Sequence, residues 1–277
     1  MDKNFVEGKT VLVTGATDGI GFVTAKELAE KGAHVLVHGR NKEKGIEAVT
    51  QIARDTCTGT ADLYLADFAS FSEIQSMAED IKRENSTLHV LVNNAGNFYK
   101  ERMVTDDAVE MSFAVNHLAP FLLTLLLIDL IKASAPARII NVSSSAHKMI
   151  KAVDFENLQG ELHYDPFEAY ALSKLGNVLF SQLLSRKLSG SGVTVNSLHP
   201  GVINTKLQKK SYDLDGIGVE EGAQTSILLA NSMEVSEISG EYFKNSQISR
   251  TSNIAQEEEL QERFWTISEK FIADYLK

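Results

Sequence analysis

Short apolar runs alternate with longer amphipathic stretches along most of the chain. The apolar runs are rich in β-branched residues and predict strands at residues 10–14, 33–38, 61–66, 88–92, 137–142 and 193–198, with 241–243 as a further candidate. The stretches between them that have helical length include Ile20–Lys31, Glu43–Arg54, Ser70–Glu84 and Glu168–Ser189. Near-continuous apolar strands separated by helices are typical of a parallel sheet that is covered on both faces. The pattern therefore predicts an α/β fold, a doubly wound parallel sheet of about seven strands with helices on both faces.

Length and composition fit one globular domain. The chain has 277 residues, of which 43% are hydrophobic and 23% charged, and it shows no internal repeat, linker or abrupt change of composition. Because a chain of this size can bury one large core, we expect residues 1–277 to form a single domain.

The net charge and the cysteine content indicate which partners and which cellular compartment to expect. The chain carries 27 basic and 37 acidic residues, a net charge of −10, which argues against a nucleic-acid binder and against attraction to an anionic membrane. Its single cysteine, Cys57, excludes an internal disulfide and a cysteine-based metal site. We therefore expect a reducing compartment and a cytoplasmic location.

The most apolar segment, Ala119–Ile131, is interrupted by Pro120 and Asp129. It is too short to span about 30 Å of hydrocarbon, so we expect a buried helix. The first residues, MDKNFVEGK, are polar and lead directly into the first strand, and we expect neither a signal peptide nor a membrane anchor. The last predicted helix covers Ala255–Leu276, and its acidic start at Glu257–Glu259 suits a helix N-terminus.

The first candidate for chemistry is the glycine-containing turn between the first strand and the first helix. It reads TGATDGIG, and the residues that we expect to contact a dinucleotide are Gly15, Thr17, Asp18, Gly19, Ile20 and Gly21. Glycine lets the backbone approach a pyrophosphate, while the helix N-terminus offers N–H groups and a positive dipole. The spacing G-x-x-x-G-x-G only approximates the dinucleotide-binding pattern, so a strand-to-helix turn without a ligand is the alternative.

The end of the second strand bears on the choice of cofactor. Where an NAD site would place Asp or Glu to bind the ribose hydroxyls, the chain has Gly39 and then Arg40. A guanidinium can bind a 2′-phosphate, which favours NADP(H) over NAD(H), and the alternative is an arginine exposed on a loop. Asp67, after the third strand, could accept a hydrogen bond from the adenine amine or belong to the helix cap near Ser70.

The fourth strand runs into Asn93-Asn94-Ala95-Gly96. At the carboxyl edge of a parallel sheet, small residues leave room for a ligand, and Asn side chains can join neighbouring strands. We expect Asn94, Ala95 and Gly96 to line the cofactor site and Asn93 to have a structural role.

Three serines, residues 143–145, follow the fifth strand, and Tyr170 and Lys174 come later on a predicted helix. Residues i and i+4 share one helix face, about 5–6 Å apart at Cβ. A lysine ammonium in that position favours tyrosinate over tyrosine in a desolvated site. A Tyr-x-x-x-Lys pair alone is common on protein surfaces, but together with the serines and the glycine turn it indicates acid/base chemistry.

These motifs make the chain resemble the short-chain dehydrogenase/reductase family over nearly its whole length. TGATDGIG, NNAG, FAVNHLAPF, INVS, YALSK and His199-Pro200-Gly201 occur in the family's order. The resemblance implies a single Rossmann-type domain. The catalytic tetrad that it implies is Asn116, Ser144, Tyr170 and Lys174. Ser144 aligns as the second serine after the strand, with Ser143 as the alternative and Ser145 less favoured.

The resemblance also implies further cofactor contacts beyond the sixth strand. These contacts are Pro200, Gly201, Val202 and Thr205, with Tyr170 and Lys174 themselves. In the family's P-G-x-x-x-T pattern, Thr205 would bond the nicotinamide amide. His199 is expected to shape the nicotinamide wall rather than to act as a base.

An insertion, residues 146–169, separates Ser144 from Tyr170. With the following YALSKLGNVLF, it is similar to the retinol-dehydrogenase-like and protochlorophyllide-reductase-like branch, whose members act on bulky hydrophobic alcohols and carbonyls. We expect this insertion and residues 202–235 to form the substrate side of the domain. The residues of the insertion that could line a substrate pocket are His147, Met149, Ile150, Phe155 and Phe167. The alternative is that they pack on the sheet.

The chain is therefore predicted to be an NADP(H)-dependent oxidoreductase that interconverts an alcohol and a carbonyl, with Tyr170 as the acid/base. We expect a small-molecule partner, no nucleic acid and no metal, because the histidines lack the spacing of metal ligands. A catalytically silent NADP-binding sensor or scaffold on the same fold is the alternative. A sugar-nucleotide epimerase would need a larger C-terminal domain than the chain offers after Gly201. Apolar helices near 121–131 and 178–188 are compatible with a monomer or a homodimer.

Overall fold

The computed structural model describes residues 4–202 and 218–276. Its strands are β1 (Thr10–Val13), β2 (His34–Gly39), β3 (Thr60–Leu65), β4 (Val90–Asn93), β5 (Ala137–Val142), β6 (Val193–His199), β7 (Tyr242–Lys244) and β8 (Gln247–Ile248). They form one sheet in the order β3-β2-β1-β4-β5-β6-β7-β8. Strands β1 to β7 are parallel, and β8 is antiparallel to β7. This is the predicted doubly wound Rossmann-type α/β fold.

Helices lie on both faces of the sheet. They are α1 (Gly19–Glu30), α2 (Lys42–Asp55), α3 (Phe71–Glu84), α4 (Ala119–Ala133), α5 (Pro166–Lys187), α6 (Val219–Asn231) and α7 (Glu258–Ile272). Helices α2, α3 and α5 begin after Asn41, Ser70 and Asp165, whose side chains accept backbone N–H groups of the first turn. These caps explain why the predicted helix starts agree with the structure to within a few residues.

The alternation of side chains along the strands produces two separate apolar cores. In β1, Val11 and Val13 face α1, α2 and α6, whereas Leu12 faces α3, α4, α5 and α7. Both cores are apolar, which is why the strands read as continuous hydrophobic runs.

The sequence predicted about seven strands, and the structure adds β8, a strand of two residues. Asn245 and Ser246 join β7 to β8, and both have positive φ, at 51° and 59°. Two successive residues with positive φ form the tight turn that matches the twist of a hairpin. Without a glycine and with so short a return strand, this hairpin carried no recognisable sequence signal.

The apolar segment around α4 belongs to a longer helical run, Met111–Ala133. This run passes through a π-helical turn at Ala114–Leu118. By length and apolarity it could cross a membrane, but 72% of its most apolar window is buried inside the protein. This burial confirms the prediction of a buried helix. The reason given for that prediction, that the segment is too short to cross a membrane, does not hold for the longer run.

Helix α7 covers the apolar surfaces of α4 and α5. The Trp265 indole lies 4.8 Å from the Phe121 ring and 5.8 Å from the Phe180 ring, centroid to centroid. Phe121 and Phe180 are therefore buried within the chain itself, whereas Leu125, Leu126, Ile128 and Leu130 of α4 are partly exposed.

Strands β1 and β4 are neighbours at the centre of the sheet, and the strand order runs outward from them in opposite directions. Connections that diverge at this point leave a crevice at the carboxyl ends of the strands, where doubly wound folds bind ligands. The polar motifs of the sequence end at this edge.

Candidate functional site

The glycine turn leaves β1 at the crevice and enters α1. Gly15 and Gly19 have φ of +63° and +58°, a region that favours glycine. Asp18 caps α1 by accepting the N–H of Gly19 at 2.8 Å. A Cβ at Gly21 would overlap the Gly15 carbonyl and the Asn94 amide nitrogen, so glycine is required there for close packing of helix and strand. The turn thus places a helix N-terminus at the crevice, and its glycines allow a ligand to approach the backbone closely.

A cleft of about 610 Å³ opens at this edge of the sheet, within the size range of small-molecule and cofactor sites. The sequence-predicted residues that line it are Gly15, Thr17, Asp18, Gly19, Ile20, Gly21, Arg40, Asp67, Asn94, Ala95, Gly96, Tyr170, Lys174 and Pro200. One cleft therefore joins the glycine turn to the Tyr-Lys pair. The cradle of glycine backbone at one end and the cationic Lys174 at the other suit a dinucleotide.

The floor of the cleft is held by asparagine side chains. Asn94 donates from Nδ2 to the Thr14 carbonyl at 2.8 Å, and its backbone N–H donates to Thr14 Oγ1 at 2.9 Å. Asn93 is buried and donates to Thr124 Oγ1 at 3.0 Å and to Asn141 Oδ1 at 2.8 Å. The structural role expected for Asn93 agrees with these bonds, and Asn94 joins the fourth strand to the glycine turn.

Arg40 and Asp67 form the rim where β2 and β3 end. Their side chains are separated by 3.6 Å between Nη1 and Oδ2, and the Arg40 side chain is 68% exposed. A pair this exposed contributes little to stability, so the guanidinium remains available to a ligand. Asp67 also accepts the N–H of Ala69 at 2.9 Å, while Ser70 is the cap of α3.

Tyr170 and Lys174 are brought together on α5 at the inner end of the cleft. The Lys174 nitrogen lies 5.7 Å from the centroid of the Tyr170 ring and donates to the Val142 carbonyl at 3.1 Å. Lys174 is 3% exposed, and this burial lowers its pKa to about 8. The lysine is therefore still mainly protonated at neutral pH and provides a localised positive charge beside the phenol.

Asn116 lies behind the cleft rather than in its wall. Its Oδ1 accepts the Asn97 N–H at 2.7 Å, and its Nδ2 donates to the Asn97 carbonyl at 2.9 Å and to Ser173 Oγ at 3.1 Å. It occupies the π-helical turn, where an added residue changes the direction of side chains. A Cβ on Gly96 would lie 3.2 Å from both Asn116 Oδ1 and Lys174 Nζ, so the three residues are close neighbours.

The serines after β5 differ in their surroundings. Ser143 is buried, reaches the cleft wall and donates to the Lys174 carbonyl at 2.7 Å, a bond that anchors β5 to α5. Ser144 is half-buried just outside the cleft wall, and its Oγ accepts the Ala146 N–H at 3.2 Å. Ser145 Oγ lies 3.3 Å from Nε2 of His199. Of the three, Ser143 has its hydroxyl proton committed to the protein backbone.

The remaining residues predicted near the nicotinamide follow strand β6 along the chain. Pro200 lines the cleft, whereas Gly201 and Val202 do not, and Val202 is exposed. Thr205 lies outside the described residues, as does much of the predicted substrate-side segment 202–235. Burial lowers the pKa of His199 to about 4, so this imidazole is neutral at physiological pH.

The insertion is tied to the body of the domain through Glu110. This buried carboxylate caps the helical run by accepting the Ser112 and Phe113 N–H groups at 2.9 and 2.8 Å. It also accepts the Tyr164 hydroxyl at 3.3 Å, and its own N–H donates to Gln159 Oε1 at 3.0 Å. These bonds fix the insertion next to the cleft.

The aromatic residues of the insertion have different neighbours. The Phe167 ring lies 5.0 Å from Phe98, whose ring is 5.8 Å from that of Tyr170. Phe155 instead contacts α7, with the Arg263 guanidinium 3.7 Å from its ring centroid and Phe264 at 6.5 Å. Of the other candidate pocket residues, His147 and Ile150 are buried outside the cleft and Met149 is exposed.

Several residues of the cleft were not assigned to it from the sequence. They are His38, Gly39, Ala66, Phe68, Asn97, Tyr99, Val115, Val142 and Val219, while Ser143, which also lines the cleft, was the alternative to Ser144. His38 Nδ1 accepts the Gly15 N–H at 3.2 Å, its Nε2 donates to the Ala66 carbonyl at 3.1 Å, and its ring stacks on Phe68 at 4.2 Å. Burial lowers its pKa to about 4. The available signal was its place at the end of β2, next to the glycine turn.

Within residues 4–202 and 218–276, no group of three or more His, Cys, Asp or Glu side chains is arranged to hold a metal ion. The charged residues that line the cleft are Asp18, Arg40, Asp67 and Lys174.

Comparison with known proteins gives concordant matches. A family model described as short chain dehydrogenase matches residues 9–215. Human retinol dehydrogenase 13 is 40% identical over 286 residues, which cover 98% of this chain and 86% of the relative. Human retinol dehydrogenase 14 is 38% identical over 297 residues, covering 98% and 88%.

Solved structures agree in fold. A crystal structure of a protein from Mycobacterium Paratuberculosis superposes with a TM-score of 0.80 and 28% identity, over 96% of this chain and 94% of that one. A short chain dehydrogenase from Burkholderia cenocepacia in complex with NADP gives a TM-score of 0.69 and 25% identity, over 86% and 96%. The family model covers the residues of the Tyr-Lys cleft, and the retinol dehydrogenase relatives match nearly the whole chain. The chain therefore belongs to the short-chain dehydrogenase/reductase family of oxidoreductases and is similar in sequence to its retinol dehydrogenases.

Proposed function

We propose that the protein is an NADP(H)-dependent oxidoreductase that interconverts a hydrophobic alcohol and its carbonyl, with Tyr170 as the acid/base. The observation that carries this proposal is the single cleft that contains both the glycine turn and the Tyr170-Lys174 pair. A module that only binds a nucleotide has no need of a phenol beside a buried ammonium.

A nicotinamide cofactor bound in the cleft would supply the chemistry of hydride transfer to and from the substrate carbon. In the reductive direction Tyr170 donates a proton to the substrate oxygen, and Ser144 hydrogen-bonds that oxygen where negative charge develops. Lys174 stabilises the tyrosinate that remains. Asn116, through its bonds to the Asn97 backbone and Ser173, holds the helix turn beside Lys174 in place.

Ser144 is preferred over Ser143 for this role because of hydrogen bonding. The Ser143 hydroxyl already donates to the Lys174 carbonyl in a buried position. Ser144 Oγ acts as an acceptor for Ala146 and keeps its proton for a substrate oxygen.

The preference for NADP(H) is supported by Arg40 at the cleft rim and by the lack of an acidic residue at the end of β2. The Burkholderia cenocepacia structure was solved with NADP, which agrees with this choice. The hydrophobic substrate is supported by the retinol dehydrogenase relatives and by the aromatic pair Phe98 and Phe167 next to Tyr170. A cytoplasmic location is also proposed, on the acidic charge balance and the single cysteine.

The test is a panel of aldehydes, ketones and alcohols of increasing apolar size, with NADPH, NADH and their oxidised forms, followed at the nicotinamide absorbance. We expect turnover with NADPH or NADP, and higher kcat/KM for larger apolar substrates. Tight NADPH binding without turnover on any member would favour the silent sensor or scaffold.

A further inference from the structure

A buried histidine links Ser144 to the segment that precedes the C-terminal helix. The His147 side chain has no exposed surface. Its Nδ1 lies 2.6 Å from the Ser144 carbonyl oxygen, and its Nε2 lies 3.1 Å from the backbone nitrogen of Ser252. Its ring also meets the Tyr242 ring edge-on, with 4.9 Å between centroids. One imidazole thus bridges two segments that are distant in sequence.

The partners of the ring define its proton. The Ser144 carbonyl can only accept, so Nδ1 must carry the hydrogen, and the Ser252 N–H can only donate, so Nε2 must be the acceptor. Burial lowers the pKa of His147, which agrees with a neutral ring. Both ring nitrogens are satisfied in this tautomer alone.

The bond to Ser144 bears on the direction of its hydroxyl. Ser144 begins a short 3-10 helix, Ser145–Met149, in which the His147 N–H donates to the Ser144 carbonyl at 3.2 Å and the Ala146 N–H donates to Ser144 Oγ at 3.2 Å. The imidazole adds a second and shorter bond to the same carbonyl. The carbonyl oxygen and the hydroxyl oxygen of Ser144 are therefore both hydrogen-bonded within this turn. His147 joins the turn to the segment around Ser252.

We infer that His147 is a positioning residue, which holds the Ser144 hydroxyl in the direction required to hydrogen-bond the substrate oxygen. The inference rests on the role proposed above for Ser144. A misplacement of a catalytic group by about 1 Å can cost on the order of 10²-fold in rate, so the effect is measurable.

Two conservative variants separate the two bonds of the ring. In His147→Asn, the amide nitrogen can take the place of Nδ1 and donate to Ser144, while the side chain is too short for Ser252. In His147→Gln, the amide oxygen can reach the Ser252 N–H, while the bond to Ser144 is lost. We expect the Asn variant to keep kcat within about threefold and the Gln variant to lose about 10- to 100-fold, both with unchanged KM for NADPH.

A matched control removes a different hydrogen bond to the segment that contains Ser252 and Ala255, and Gln261, the residue it changes, makes no bond to Ser144. Gln261 is buried and donates from Nε2 to the Ala255 carbonyl at 2.7 Å and to Gln182 Oε1 at 3.1 Å. Gln261→Leu should lower the melting temperature with little change in kcat. If it lowers kcat as much as His147→Gln does, the effect is general loosening and the inference is overturned.

The same substitutions in a Ser144→Ala background distinguish the inference from the proposed function. If His147 acts through Ser144, His147→Gln causes no further loss of kcat there. If Ser144→Ala alone leaves kcat unchanged, the proposed role of Ser144 fails. If Ser144→Ala lowers kcat but the Gln loss is equally large in both backgrounds, only the inference about His147 fails.

A measurement on the unmodified protein does not depend on whether the variants fold. Nitrogen-15 NMR of the histidine rings should show His147 neutral with its proton on Nδ1. A ring protonated at Nε2 instead would contradict the bond to Ser144 and overturn the inference.

Discussion

The side-chain nitrogen of Lys174 lies 5.7 Å from the ring centroid of Tyr170 and is itself bonded to the Val142 carbonyl at the end of β5. The strand thus holds the lysine in the position from which its charge acts on the phenol. This ties the acid/base pair to the rigid sheet rather than to a loop, and it makes the charge of Lys174 the first property to test.

Lys174→Met removes the charge and keeps most of the side-chain volume. In the oxidative direction Tyr170 must accept the alcohol proton, so the wild-type rate should rise with pH through one ionisation. Without the ammonium, the tyrosinate is less stable, and the midpoint of that rise should move to higher pH. Steady-state oxidation rates across the pH range measure the shift, and an unchanged midpoint would show that Lys174 does not act on the phenol.

Arg40→Ala tests the choice of cofactor. If the guanidinium binds the 2′-phosphate, the variant should weaken NADPH binding by about 1–3 kcal/mol and leave NADH binding nearly unchanged. Isothermal titration with both cofactors measures this. Lys44→Ala is the matched control, because it removes an exposed cation that does not line the cleft. Equal losses for NADPH and NADH would contradict the phosphate contact.

Phe167→Ala and Phe155→Ala form a matched pair within the insertion. Phe167 contacts the Phe98 ring beside Tyr170, so its removal should change the ranking of kcat/KM across carbonyls of different size. Phe155 packs on Arg263 and Phe264, so its removal should lower the melting temperature and leave that ranking unchanged. The same ranking in both variants and the wild type would leave Phe167 with a packing role only.

His38 should make the stability of the protein depend on pH. Its pKa is lowered from 6.5 to about 4 by burial, so between those values the unfolded chain binds a proton that the folded chain does not. The contribution of His38 to the free energy of unfolding is therefore fully present above about pH 6.5 and is lost as the pH falls towards 4. For His38 alone the loss between pH 7 and pH 5 is about 2 kcal/mol.

Urea unfolding of the wild type and His38→Asn at both pH values measures this contribution. The variant should be less stable at pH 7, since it loses the stacking on Phe68, but its loss on going to pH 5 should be smaller by about 2 kcal/mol. His117 and His199 are present in both proteins and cancel in the comparison. Identical losses would mean that His38 is not buried as a neutral ring.

Local patterns were sufficient to predict the sheet and most of the cleft. The glycine turn, Asn94 and the Tyr170-Lys174 spacing each depend on residues close in sequence, and the structure places all of them in one cleft. Contacts between distant segments could not be predicted in this way. His38 reaches Gly15 and Ala66 only because three strands lie side by side, and nothing local indicates those partners.

The insertion shows the same limit. Phe155 and Phe167 are both apolar residues of one segment, and no pattern in the sequence distinguishes them. They have different neighbours because α7 packs against Phe155, while Phe98, in the loop after β4, packs against Phe167. Which of the two contacts the site depends on elements that lie far away along the chain.

The central claim is that Tyr170 is the acid/base of an alcohol/carbonyl oxidoreductase, and Tyr170→Phe tests it most directly. The substitution removes one hydroxyl and preserves the ring that meets Phe98. We expect NADPH to bind as in the wild type, by isothermal titration, while kcat falls by about 10² to 10⁴ on a substrate that the wild type turns over well. Near-normal turnover by Tyr170→Phe on that substrate would contradict the account.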